Sequence, residues 1–258
     1  MMPFTEMLGL AAAAAVAGAI NAVAGGGTLI TFPALIFFGT GAVIANATST
    51  LALVVGTAGS IFGFRKQVGA VRPWLVRFVP VSVLGGLLGS VLLTRTGENI
   101  FSRLVPFLIL FATILFLAQG AFRRFAGFAE KGPAHPHHRG VWIAIVFQFA
   151  VAVYGGYFGA GIGILMLASL GFLGLRDIHE MNALKNILGS LINVVAAVWF
   201  IWSGLIDWPK AGVMSIGALG GYYLGAYSSQ RLPQQAVRRL VTAIGLTISA
   251  IMFHRQFR

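Results

Sequence analysis

Residues 22–27 read Ala22-Val23-Ala24-Gly25-Gly26-Gly27, and residues 155–163 read Gly155-Gly156-Tyr157-Phe158-Gly159-Ala160-Gly161-Ile162-Gly163. Each cluster interrupts an apolar run, at about 4–38 and 141–173, that is too long for one membrane-crossing helix of about 20 residues. Glycine disfavours helix by up to about 1 kcal/mol per residue and lets the backbone approach a ligand closely. Each run therefore reads as a helix, an unwound turn and a second, short helix.

The two clusters belong to a longer correspondence. At an offset of 136 positions, Ala24-Gly25-Gly26-Gly27 returns as Ala160-Gly161-Ile162-Gly163, Asn46-Ala47 as Asn182-Ala183, Pro73 as Pro209, and Gly85 and Gly89 as Gly221 and Gly225. Arg95, Arg103 and Leu104 return as Arg231, Arg239 and Leu240. Overall identity at this offset is low. The residues that recur are those with structural meaning in a membrane: mid-run glycines, one asparagine, and prolines and arginines at run ends. Internal repeats of this kind characterise secondary transporters, whose site lies where the repeats meet.

Composition sets the class. The chain is 58% hydrophobic and 9% charged, against about 25% charged residues in an average soluble domain. Further apolar runs lie near 46–64, 78–94, 104–122, 182–203, 212–228 and 240–254, giving eight segments, four per half. The expected fold is an all-α polytopic membrane protein of two four-segment repeats, 1–122 and 141–258, joined by a basic linker at 123–140 into one bundle. The opening stretch to Ala24 ends in small residues as a signal peptide does. It carries Glu6 and no basic n-region, so it reads as retained.

Basic residues mark the loops. If all eight segments cross, the loops on the two sides hold eleven and six Lys or Arg; if the broken segments re-enter, they hold twelve and five. The positive-inside bias favours the second arrangement, with loops 65–77, 123–140 and 228–239 cytoplasmic and the halves inverted. The formal charge of +12 does not point to nucleic acid, because the basic residues sit singly or in pairs and form no continuous face along which to track phosphates. Trp142, Trp199, Trp202 and Trp208 suit interfacial anchoring.

The glycine turns, each followed about 20 residues later by an Asn-Ala step (Asn46-Ala47-Thr48-Ser49; Asn182-Ala183-Leu184-Lys185-Asn186), resemble the TauE/SafE sulfite exporter family of membrane transporters over essentially the whole chain. The resemblance implies transport of sulfite, sulfoacetate or other small sulfur-containing anions.

The residues themselves point to an anion. Lys185 is the one Lys or Arg within an apolar run, and an ionisable group there costs at least about 2.5 kcal/mol unless it faces a partner or a watery cavity. It shares a helical face with Asn182, Asn186, Gly189 and Asn193. The matching face of the first half carries Asn46, Ser49, Thr50 and Thr57. Turns at Gly25, Gly26 and Gly27 and at Gly159, Gly161 and Gly163 would expose backbone N–H groups, and the short helix after each turn offers its positive end to an anion. These glycines, with Asn46, Ser49, Thr50, Asn182, Lys185, Asn186 and Asn193, form the expected substrate site. Plainer readings stand beside this one: Lys185 snorkelling from its helix end, and asparagines that bond between helices. Gly85, Gly89, Gly217, Gly221 and Gly225 fit close helix packing.

No cofactor or metal is expected. There is no cysteine, and His135, His137 and His138 have no acidic or thiolate partner nearby. Nor do the apolar runs hold the paired acid and base, nucleophile or metal motif of an intramembrane enzyme. Glu6, Glu98, Glu130, Asp177, Glu180 and Asp207 fall at run ends, which leaves no buried proton relay; only Asp177, His179 and Glu180 stand at the mouth of a pathway. Outward movement of an anion gains about 2.3 kcal/mol per charge per 100 mV from an inside-negative potential, so export can run as uniport by alternating access. An uptake permease, a channel and a non-transport scaffold are the alternatives. Expected partners are a small anionic substrate and the lipid bilayer, with a homodimer allowed.

Overall fold

The computed structural model describes residues 2–23, 26–63, 68–129, 138–171, 178–228 and 234–256. Among these the chain is all-helical: α1 Phe4–Val23, α2 Thr28–Phe37, α3 Ala42–Gly63, α4 Val68–Thr96, α5 Glu98–Ala129, α6 His138–Tyr157, α7 Ile162–Gly171, α8 Ile178–Trp202, α9 Trp208–Ser228 and α10 Gln234–Gln256.

Both long runs break at the glycines. Gly26 (φ 93°) lies between α1 and α2, and Gly159 and Gly161 (φ 81° and 79°) between α6 and α7, in a left-handed conformation that glycine alone adopts without strain. After each break comes a helix of ten residues, about 15 Å long and half the thickness of a bilayer core. Among the described residues, four stretches are long and apolar enough to cross a membrane, Phe4–Ala22, Val71–Thr96, Glu98–Ala118 and Ala183–Trp202, and shorter apolar stretches accompany them at Thr28–Phe37, Ala42–Thr57, Val141–Tyr157 and Val241–His254. Two segments exceed their expected bounds furthest. Helix α4 starts at Val68 and accommodates Pro73 and Pro80, while α5 continues through Arg123 and Arg124 to Ala129.

Packing crosses the midpoint of the sequence. Helix α1 lies along α9, and α6 along α4; α3 also packs on α9, and α8 on α4. Glycine makes the first two contacts possible. A Cβ on Gly221 would lie 1.8 Å from the Ala15 carbonyl oxygen, and one on Gly217 2.3 Å from that of Ala11. On the other side, a Cβ on Gly89 would fall 2.0 Å from the Val153 oxygen, and one on Gly156 2.0 Å from the Gly86 oxygen. The packing role expected of Gly85, Gly89, Gly217, Gly221 and Gly225 therefore holds, with backbones touching as they do at small-residue membrane interfaces. At the core, Phe32, Phe101 and Phe158 meet edge to face, with Phe32 and Phe158 centroids 5.5 Å apart.

Polar side chains tie one end of the bundle together. Glu98, which opens α5, accepts from the N–H groups of Ala42 and Val43 and so caps α3 across 55 residues of sequence. Lys210 of α9 pairs with Glu6 of α1 at 2.7 Å, donates to Thr40 Oγ1 at 2.9 Å and reaches the Phe38 carbonyl beyond α2. The beginning of α1 and the end of α2 thus share one anchor. Trp202 and Trp208, at the α8–α9 connection, are largely exposed, as is Trp142 near the start of α6. Trp199 turns inward and donates to Thr94.

Candidate functional site

The two breaks meet on one turn of α5. Gly26 abuts the Phe116 ring, and Gly161 faces Leu115 and the Ala112 carbonyl. Each polar stripe faces the short helix of its own half. In the first half Ser49 bonds Thr31 at 2.6 Å, and Thr31 donates back to the Gly27 carbonyl. In the second half the Lys185 stem lies against Gly163, its Cδ 3.6 Å from where a Cβ would stand. Gly27 and Gly163 correspond at the 136-residue offset, as do Ser49 and Lys185. A hydroxyl pair and a lysine thus occupy matching places.

The first break is satisfied from within. Asn21, in the last turn of α1, accepts the Gly27 N–H at 2.8 Å, so the start of α2 is capped by the chain itself. Thr50 is buried and donates to the Asn46 carbonyl of its own helix, and Thr57 likewise bonds within α3. At the second break Lys185 is half-buried, as are Asn186 and Asn193. The Asn193 carboxamide oxygen lies 3.6 Å from the Cβ position of Gly159. Asn46 also turns to this break: 1% exposed, it donates from Nδ2 to the Tyr157 carbonyl at 3.2 Å. Tyr154 closes the turn by donating to the Ala160 carbonyl at 2.8 Å.

Most of the expected residues thus gather at two sets of contacts. Gly25, Asp177, His135 and His137 lie outside the described residues, as does the side chain of Asn182. Sequence reasoning missed Asn21 and Thr31, whose signal was available: each is a polar residue in an apolar run, within six positions of Gly27. It also missed Glu98 and Lys210 as clamps, because their partners are distant in sequence. Among the described residues no group of His, Asp and Glu is placed to hold a metal ion.

A helical bundle with two glycine-broken helices, a lysine on a helix face within an apolar run and tryptophans at its ends is a polytopic membrane protein built around its breaks. The chain belongs to the sulfite exporter TauE/SafE family, whose model matches residues 10–252. It is 29% identical over 244 residues to a "Probable membrane transporter protein" of Haemophilus influenzae, covering 93% of this chain and 92% of that one. It is 24% identical to the "Probable membrane transporter protein YfcA" of Escherichia coli, over 93% and 85% of the two chains. Against YunE of Bacillus subtilis, also a "Probable membrane transporter protein", identity is 24% over 93% and 94%. No solved structure matches. The protein is a membrane transporter of this family.

Proposed function

We propose that this chain exports small sulfur-containing anions, sulfite or organosulfonates, across the plasma membrane by alternating access around the second break. The observation that carries the reading is Lys185 packed on Gly163 in the first turn of α7. The stem of a lysine thus runs beside the positive end of a helix, and both a lysine charge and a helix N-terminus favour an anion. Asn186 and Asn193 on the same face add amide donors suited to sulfonate oxygens.

The halves are read as inverted repeats whose opening pairs, α1–α2 and α6–α7, re-enter the membrane. Three features support this. Each half is a long helix, a break, a ten-residue helix and three further helices; the contacts α1–α9 and α6–α4 are counterparts under the exchange of halves; and Lys210 holds the start of α1 and the end of α2 together. The basic loops then face the cytoplasm, and the membrane potential drives the anion outward without a coupling ion.

Proteoliposomes test the proposal: electrogenic flux of sulfite, sulfate, sulfoacetate, taurine and simple carboxylates, with and without pH and sodium gradients. Saturable, electrogenic flux of at least one sulfur oxyanion or organosulfonate is expected without either gradient. Silence toward all of them would end the sulfur-anion reading, and an obligatory proton gradient would replace uniport with coupling through His179 or Glu180.

A further inference from the structure

Asn46 engages only one end of its carboxamide. Its Nδ2 donates to the Tyr157 carbonyl at the foot of the second break, while its buried Oδ1 has no hydrogen-bond partner among the described residues. Other buried polar groups of α3 are paired: Ser49 with Thr31, and Thr50 with the Asn46 carbonyl. A buried amide oxygen left without a donor is costly, and natural structures keep such atoms where something else completes them. The bond to Tyr157 also fixes which amide atom is which, since a carbonyl can only accept. Oδ1 belongs to the same planar group as Nδ2, so the acceptor stands beside the residue that ends α6. Two residues on, the Asn193 Oδ1 lies close to Gly159. The break therefore presents amide acceptors near the end of α6 and, at the start of α7, the Lys185 stem and the helix N-terminus.

A fully ionised oxyanion offers only lone pairs and gains nothing from an amide oxygen. An anion that also carries an O–H or N–H gains from both ends. We propose that Asn46 selects, among the anions this carrier moves, those bearing a hydrogen-bond donor next to the anionic group, with Oδ1 accepting from it. The proposal rests on the anion-carrier reading above and adds the chemistry of the second group. A site built to bond a hydroxyl discriminates strongly against the analogue that lacks it, because its buried polar atom is then left unpaired.

The test uses ethanesulfonate and 2-hydroxyethanesulfonate, which have the same charge and differ by one hydroxyl. Each competes against sulfite flux in proteoliposomes of the full chain. The hydroxylated sulfonate is expected to compete at least about tenfold more effectively with wild type, and Asn46→Leu should bring the ratio to about one while ethanesulfonate still competes. Equal competition in wild type, or no competition by either compound, overturns the proposal while sulfite flux keeps the carrier reading alive. A preference that survives in Asn46→Leu takes the role from Asn46. Where another sulfur anion moves and sulfite does not, the two sulfonates compete against that anion with the same expected ratio; silence toward all of them removes the carrier reading and this proposal with it. The wild-type ratio decides even if the variant does not fold.

Discussion

Lys185 and Lys210 are both lysines on helices of one bundle, and their surroundings give them different work. Lys210 is held by Glu6, Thr40 and the Phe38 carbonyl, a clamp between α1, α2 and α9. Replacing it with methionine leaves the carboxylate of Glu6, only 14% exposed, without its cation. We expect Lys210→Met to cost about 1–3 kcal/mol of stability, read as a lower midpoint in a detergent thermal-unfolding assay. Lys185 instead lies along Gly163 at the start of α7. Lys185→Ala is expected to reduce anion flux by at least about a hundredfold, the scale of losing a charge-assisted contact of about 3 kcal/mol, while folded yield is unchanged. Flux equal to wild type in that variant would return Lys185 to an interfacial, snorkelling role. The contrast between Ser49 and Lys185 was legible at the residue scale; that Ser49 is already paired with Thr31 was not, because the two are 18 residues apart and meet only when α2 folds back onto α3.

At the scale of elements, breaks and packing faces follow from glycine placement. Clustered glycines end helices wherever they can adopt positive φ, and Gly26, Gly159 and Gly161 do so. Glycines inside α4 and α9, singly or in pairs such as Gly85-Gly86 and Gly220-Gly221, remain helical and let a neighbouring backbone approach. Adjacent positions separate these effects. Gly221→Ala places a methyl 1.8 Å from the Ala15 oxygen, whereas Gly220→Ala meets nothing within 4 Å. The first substitution should destabilise by about 1–3 kcal/mol through overpacking. The second should be neutral or stabilising by up to about 1 kcal/mol through helix propensity. Thermal midpoints of the two variants, measured side by side, check the pair; equal midpoints would contradict the contact between α1 and α9. Helix ends were less legible than breaks. Helix α4 runs through Pro73 and Pro80, and α5 through Arg123 and Arg124, because long helices in a bundle gain packing that outweighs a local preference to stop.

Over the whole molecule, the most extensive helix contacts run between the two halves of the sequence. Helix α1 is seated on α9 and α6 on α4 by backbone-close glycine contacts, while α3 joins the first pair and α8 the second. Alternating access, if it moves rigid bodies, then moves α1–α3–α9 against α4–α6–α8, with α3 and α8 in contact between them. The absence of cysteine makes this directly testable with introduced pairs. A cross-link between α1 and α9 should leave flux within about twofold of the reduced protein, since those helices move together. One between α3 and α8 should reduce it by about tenfold or more, restored on reduction. The reverse result would return the motion to the sequence halves.

The sequence by itself determined the membrane class, the two breaks, the glycine packing faces and the lysine that distinguishes the second copy. All of these follow from local physics: hydropathy over about 20 residues, glycine's backbone freedom and the cost of a charge in an apolar run. Only the tertiary structure decided which hydrogen bonds are already spent. Asn21 caps one break, Thr31 occupies Ser49, and Asn46 reaches across 111 residues to Tyr157 at the other. Those pairings depend on which helices lie together. Two glycine turns that look alike in sequence thus differ in the protein: Asn21 holds the first, while Tyr154 and Asn46 hold the second beside Lys185 and Asn193.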